Sequence, residues 1–311
     1  MAAVTDGLPA PTGRDEGFFL RGAAAMAVVI VAGFSVQLAM GRSSFSSPPL
    51  VHAHAIVFMG WVVIYLLQNV FAATGRTALH RRLGWLAAVW VVPMIVLGFA
   101  VTIAIVRRGG VPFFFQPLQF LVFDPVSLLT FAGLTTAAIL MRRQSDWHRR
   151  LHVCAMSVLL GPGFGRLLPM PLIAPWAWEA TLAACLIFPL VGMWSDKRRS
   201  GRVHPAWLWG VAAMIGCLLV TEAITYGPVG GPIYDAVVAG TPGEAVAPLA
   251  FPGPPAGPPP AYPLRPRPPG RIGEGADWPP RVRPPASCQR GREATCAPLD
   301  AAPAIASHFT A

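Results

Sequence analysis

The amino-acid sequence predicts an all-α membrane protein, a polytopic bundle of seven transmembrane helices. Of its 311 residues, 54% are hydrophobic and only 12% are charged, whereas a soluble globular domain carries about 25% charged residues. The apolar residues come in long blocks, and a helix needs about 20 such residues to cross a hydrocarbon core. In lipid, only helices and closed β-barrels satisfy the hydrogen bonds of their backbone. No block shows the period-2 alternation of a barrel strand, so the sequence favours helices.

Seven apolar blocks are the candidate spans. They lie at 19–40, 51–73, 83–106, 119–141, 151–173, 174–194 and 205–226. The fifth and sixth adjoin through the proline-rich stretch "LLPMPLIAPWAW" at 167–178, which predicts a tight turn. The predicted organisation is therefore an N-terminal segment 1–18, a transmembrane domain 19–226 and a C-terminal segment 227–311.

The positive charges are distributed unevenly among the loops. The loops at 74–82, 142–150 and 195–204 together hold eleven Lys or Arg residues, and the alternate loops hold four. This asymmetry follows the positive-inside rule. It predicts a bacterial inner-membrane protein with a cytoplasmic N-terminus and a periplasmic C-terminus. Because the net charge of +10 is accounted for by topology, we do not expect a nucleic-acid partner; the expected partners are the lipid bilayer and an unknown small molecule.

A four-residue motif occurs twice. "LHRRLGW" occupies 79–85 and "WHRRLHV" occupies 147–153. Each copy follows a span predicted to run inward and opens a span predicted to run outward. The repeat therefore suggests a two-helix hairpin used twice in the same orientation, one known way to build polytopic proteins.

Costly ionisable residues gather near the predicted outer surface. With about 1.5 Å of rise per residue, the predicted orientation brings six of them into the outer third of the membrane: His52, His54, Asp124, Arg166, Glu179 and Glu222. Ionisable residues at such depth are functional candidates, and the glycines and proline of "GPGFGR" (161–166) are expected to break the fifth helix there. The sequence thus predicts a periplasm-facing pocket for small-solute or proton-coupled binding, sensing or transport, in which Arg166 holds an anionic group or neutralises the carboxylates. The alternative is a salt-bridge network that locks the bundle.

The histidines near the cytoplasmic side suggest a second function. His80 and His152 open the third and fifth helices, and two imidazoles on facing helices can ligate a b-type haem. The alternative is that they are interfacial polar residues among arginines. His148 and His152 also form an i, i+4 pair, a weak metal-binding pattern. No Cys/His motif predicts a zinc site, so no metal is expected. A third hypothesis is a metal-dependent membrane hydrolase built on the outer histidines with Asp124 or Glu222.

The C-terminal segment has a different composition. From Thr241 onward it contains 18 of the chain's 34 prolines and seven arginines. Such a stretch buries too little apolar surface to offset its ordering entropy, so 227–311 is expected to be mostly disordered. Proline- and arginine-rich composition is also typical of out-of-frame translation of GC-rich DNA, which suggests a frameshifted end after about residue 257.

Three stretches carry a resemblance. "LHRRLGW", "GPGFGRLLPMP" and "YGPVGGPIYDAVVAGTPG" resemble an uncharacterised family of bacterial multi-pass inner-membrane proteins over about residues 18–255. Helices that open on "HRRLG" are also distantly similar to cytochrome b561-type membrane proteins. That resemblance implies haem bound by histidine pairs at both membrane faces. The outer face offers only His52 and His54, which are about 200° apart around one helix, so a second haem is not expected.

Overall fold

The computed structural model describes residues 13–42 and 46–253, with side chains from residue 16 onward. This part of the chain is helical and contains no strand. The helices are α1 (Gly13–Ala39), α2 (Pro49–Ala73), α3 (Thr77–Arg107), α4 (Pro117–Leu140), α5 (Ser145–Val158), α6 (Gly161–Leu167), α7 (Met170–Ile173), α8 (Ala177–Ser200), α9 (Pro205–Thr225) and α10 (Gly230–Val238), followed by a 3₁₀ turn at Pro242–Ala245.

Six helices in the described residues are long and apolar enough to cross a membrane, namely α1, α2, α3, α4, α8 and α9. The chain is thus an all-α protein with the helices of a multi-pass membrane protein. Seven continuous spans are not confirmed, because the fifth predicted span, 151–173, is divided among α5, α6 and α7. The first break falls just before "GPGFGR". Pro162 lies in the first turn of α6, where its missing N–H costs nothing and a new helix starts readily.

The arginine-rich segments meet at one end of the helices, here called the basic end. The ring centroids of His80, at the start of α3, and His148, at the start of α5, are 6.1 Å apart. Arg150 of α5 pairs with Asp196 near the end of α8. The start of α1 is at this end as well, since the Arg149 guanidinium lies 4.8 Å from the centroid of the Phe19 ring.

The other end of the helices, here called the opposite end, is closed by residues 227–253. The buried Tyr234 of α10 donates its hydroxyl to the carbonyls of Gly243 and Val246, at 3.2 and 3.0 Å. The Leu118 N–H at the start of α4 donates to the Pro248 carbonyl at 2.9 Å. This part of the segment expected to be mostly disordered is folded, because it still contains apolar and aromatic residues that pack. The remainder, including the suggested frameshift after about 257, lies outside the described residues.

Two groups of buried side chains hold the helices together. One runs through α1–α5, α8 and α9 and includes Met26, Met94, Phe131 and Trp207. The other lies at the opposite end and includes Phe123, whose ring stacks on Trp178 with centroids 4.5 Å apart.

Candidate functional site at the opposite end of the bundle

Arg166 lies in α6, which packs closely against α1. A Cβ atom built on Gly33 of α1 would be 2.6 Å from the carbonyl oxygen of Gly163, so the two helices approach at glycine positions. Arg166 donates Nη1–H to the Pro162 carbonyl at 2.8 Å. Its guanidinium carbon lies 4.1 Å from the centroid of the Phe34 ring. Within the described chain Arg166 forms no ion pair, so most of its donors are available.

Asp124 and His54 are the ionisable neighbours of Arg166. Both are within electrostatic range of the guanidinium. Asp124, in α4, accepts a hydrogen bond from Thr102 of α3 at 3.1 Å. The His54 ring, near the start of α2, stacks on Phe58 with centroids 4.1 Å apart. The structure therefore brings a cation, a carboxylate and an imidazole from three elements into one neighbourhood.

Glu179 and Glu222 form a separate neighbourhood. Glu179 is in the first turn of α8, and it is within electrostatic range of Glu222 near the end of α9. Glu222 accepts a hydrogen bond from Gln119 of α4 at 3.3 Å. His52 is half-buried in the first turn of α2. All six predicted residues thus belong to the same end of the helices, but their contacts divide them between two sets, one around Arg166 and one around Glu222.

Several buried polar atoms at this end have no hydrogen-bond partner among the described residues. In the two sets these atoms are Nδ1 of His54 and Oε2 of Glu179. Further unsatisfied atoms belong to residues close to Glu179 and Glu222 in sequence: Nε1 of Trp178 and the hydroxyls of Thr221 and Thr225. A buried donor or acceptor without a partner costs about 1–3 kcal/mol. Each such atom in a native structure needs an explanation, and contact with water or with a ligand is one.

A groove of about 310 Å³ lies elsewhere, between α4 and α9. It is lined mainly by apolar and small residues, and its lining includes none of the six predicted residues. The groove therefore adds nothing to the polar site.

The histidines of the basic end form a cluster of their own. The His148 ring contacts both others: its centroid is 6.1 Å from that of His80 and 4.6 Å from that of His152. A porphyrin held by His80 and His152 would need space between those two rings, and the His148 ring lies against both. Nδ1 of His148 is also hydrogen-bonded to the Ala138 carbonyl at 2.7 Å. This arrangement does not fit a haem ligated by the predicted pair.

The hydrolase hypothesis gains no support from the geometry. Within the described ranges 13–42 and 46–253, no three His, Cys, Asp or Glu side chains are arranged to hold a metal ion. His54 and Asp124, two of the proposed ligands, instead lie near the positive charge of Arg166, which opposes cation binding there.

A charged network at the basic end was not anticipated from the sequence. Arg150 donates Nε–H and Nη2–H to the two carboxylate oxygens of Asp196 at 2.8 and 2.9 Å, and Nη1–H to the Asp146 backbone carbonyl at 3.1 Å. Trp207 donates Nε1–H to Asp196 at 2.8 Å. We call Asp146, Arg150, Asp196 and Trp207 the basic-end network. From the sequence, Arg150 indicates only topology; the signal for its partner is Asp196, a carboxylate inside the arginine-rich loop 195–204.

Thr102 and Gln119 are further polar residues of the opposite end that sequence reasoning missed. Both are buried within apolar helices, and that setting is the signal that could have identified them.

Comparison of the chain with protein-family models, with curated proteins and with solved structures gives no significant match.

Proposed function

We propose that this chain is a multi-pass protein of the bacterial inner membrane that binds or transports a small anionic solute, coupled to protons, at its opposite end. The observation that carries this proposal is a partly buried arginine that forms no ion pair with the described residues and lies within electrostatic range of Asp124 and His54. Arg166, Asp124 and His54 form its core, and Glu179, Glu222 and His52 complete it.

The proposal includes a seventh crossing made by α5 and α6. If α4 and α8 both span the membrane, the chain must change sides between them, because α4 ends near His148 and α8 starts near Glu222. Arg150 pairs with Asp196 at one end of α8. At the other end of α8, a Cβ atom built on Gly161 would lie 3.7 Å from the Cγ2 atom of Thr181. These contacts favour α5 and α6 running antiparallel to α8 over most of its length.

The proposed orientation places the basic end in the cytoplasm and the opposite end in the periplasm. Its support is the excess of arginine at the basic end, as the positive-inside rule requires. A repeated hairpin is part of the same proposal. In both copies of the motif, the histidine Nδ1 is hydrogen-bonded to a carbonyl of the preceding helix: His80 to Gln68 at 3.2 Å and His148 to Ala138 at 2.7 Å.

Arg166 is the group that would hold the anion. A guanidinium has five N–H donors, and one is used by Pro162. Arg–carboxylate and Arg–phosphate pairs are strong and directional, and surroundings of low dielectric strengthen them. A proton carried by Asp124 or His54 would keep the charge of the site balanced when an anion binds to the arginine. This is the physical basis for the proposed coupling to protons.

Proteoliposomes that contain a pH-sensitive dye test this function. Inorganic phosphate and succinate are suitable probes, because as dianions they cross the bare bilayer poorly. We expect one of them to produce anion-dependent proton flux through the wild-type protein, reduced at least about 10-fold in Arg166→Gln, equal to about 1.4 kcal/mol of lost interaction. Arg107→Gln is the matched control, since Arg107 is an exposed arginine at the end of α3. Flux that is absent with both probes, or unchanged in Arg166→Gln, would contradict the proposal.

A further inference from the structure

The three-histidine cluster of the basic end is not used by the proposed function. His80 comes from α3, and His148 and His152 are one turn apart on α5. Two histidines at i, i+4 present their rings on the same helical face, a spacing that recurs in metal sites. The structure places the imidazole of His80, from α3, next to that of His148, a contact that the sequence spacing does not show.

Two of the three imidazoles are already oriented through Nδ1. The His80 and His148 Nδ1 atoms are 3.2 and 2.7 Å from the Gln68 and Ala138 carbonyl oxygens. A carbonyl only accepts, so each Nδ1 carries the proton and each Nε2 has a free lone pair. Metal-binding histidines are held in this way, with the second ring nitrogen donating to a backbone carbonyl or carboxylate.

The third imidazole is not fixed by a hydrogen bond. No hydrogen bond joins either ring nitrogen of His152 to the described residues, and its ring contact is the one with His148. In the described ranges the three rings do not yet surround a common point. Of the three rings, only that of His152 has no hydrogen bond to hold it. For all three Nε2 atoms to face one ion, the His152 ring would therefore have to turn.

An unsatisfied oxygen lies near the cluster. Oε1 of Gln68 is buried and has no hydrogen-bond partner in the part of the chain that the structure describes. The Gln68 side chain approaches Gly84, one turn after His80 in α3, and its backbone carbonyl is the acceptor for His80. An oxygen in this position can accept a hydrogen bond from a water bound to a metal ion.

The neighbouring arginines do not preclude a cation. Arg81 and Arg82 are exposed to solvent. The Arg149 guanidinium lies over Phe19 and pairs with Asp146, and Arg150 pairs with Asp196. Their charges are thus compensated by partners or screened by water.

We propose that His80, His148 and His152 bind one divalent transition-metal ion of the Zn²⁺ type through their Nε2 atoms. Neutral imidazole is a preferred ligand of Zn²⁺ and Co²⁺. Three histidines leave a further coordination position for water, as in open zinc sites.

Cobalt binding in detergent tests this inference, with protein purified through a tag that contains no histidine. Co²⁺ is the spectroscopic probe, and Zn²⁺ competes with it. We expect one Co²⁺ per chain with visible ligand-field absorption that Zn²⁺ abolishes. His148→Asn and His80→Asn keep an amide donor where Nδ1 was and remove only the Nε2 ligand. Each should weaken binding more than about 10-fold, the smallest effect typical even of a residue that only orients a ligand.

The controls separate metal binding from folding and from the anion site. His152→Ala should abolish the absorption while its far-UV circular dichroism remains that of the folded wild-type protein. His204→Asn keeps an N-cap acceptor for α9 at the same end of the bundle and should bind Co²⁺ as the wild type does. Arg166→Gln should also bind normally, so failure of the anion proposal would not affect this result. Less than one Co²⁺ per chain, or unchanged affinity in the three cluster variants, would overturn the inference.

Discussion

The charged side chains at the two ends of the bundle have opposite surroundings. In the basic-end network, Arg150 and Asp196 form a two-pronged ion pair, and Trp207 donates to the same carboxylate. At the opposite end, Arg166 forms no ion pair in the described chain, and His54 and Glu179 each retain an unsatisfied atom. The first arrangement is that of a structural clamp, and the second is that of a site awaiting a partner.

The difference teaches how to separate structural from functional charges in one membrane protein. A charge whose hydrogen bonds are filled by protein stabilises the fold, and removing one partner leaves the other unpaired. A charge left unsatisfied lowers stability and is retained for function. The two classes therefore respond differently to mutation, and this contrast yields the following predictions.

The largest expected effect is at the basic-end network. Arg150→Ala leaves the partly buried Asp196 without its cation, and we expect a loss of about 3–5 kcal/mol in the free energy of unfolding. Denaturant unfolding in detergent micelles measures it. Arg82→Ala is the matched control, because Arg82 occupies the same position in the first copy of the motif and is exposed. Equal effects of the two substitutions would show that the network is not a clamp.

The next effect concerns the seating of α6, which carries Arg166. Gly33→Ala inserts a methyl group 2.6 Å from the Gly163 carbonyl oxygen, and overpacking of this kind costs about 1–3 kcal/mol. Gly22→Ala, in the same helix, meets nothing within 4 Å and should not lower the melting temperature, because alanine is the better helix former. A lowered melting temperature for Gly33→Ala alone would confirm the close approach of α1 and α6, and equal melting temperatures would contradict it.

A smaller effect is expected from pH at the basic end. Burial lowers the pKa of His204, and the Arg150 charge lowers it further. Its Nδ1 accepts a hydrogen bond from the Ala206 N–H, so the folded state prefers neutral imidazole. Stability is therefore complete above the ordinary histidine pKa of about 6.5 and decreases as the pH falls below it.

His204→Asn should remove that part of the pH dependence, because the amide caps α9 without titrating. Melting curves between pH 5 and pH 8, a range of about three units around the histidine pKa, compare the two proteins. If both lose the same stability on acidification, His204 is not the titrating group.

Hydropathy predicted most of the helices but not their ends. The block at 83–106 corresponds to α3, yet α3 starts at Thr77 and includes Arg81 and Arg82. Charged turns that continue a helix into water are invisible to an apolar-length criterion. The fifth block failed as a single helix for a local reason, since the stretch from Gly161 to Gly163 starts a new helix instead of extending the old one.

The opposite-end residues could be selected from the sequence because ionisable groups are rare in apolar helices. Their hydrogen-bond partners could not be selected in this way. Thr102 faces Asp124, and Gln119 faces Glu222, contacts that depend on how each helix is rotated about its axis. That rotation is determined by packing among neighbouring helices, so it could not be predicted from the sequence of one chain. The contact between His80 of α3 and His148 of α5 depends on the same rotation.

The free energy of unfolding of Arg166→Gln, compared with that of Arg150→Ala, tests most directly whether the opposite end is a functional site. Glutamine can still donate to a carbonyl but cannot pair with an anion. We predict a change in unfolding free energy within about 1 kcal/mol for Arg166→Gln, against the loss of about 3–5 kcal/mol for Arg150→Ala. A loss in Arg166→Gln as large as that in Arg150→Ala would show that Arg166 is a structural charge and would contradict the account.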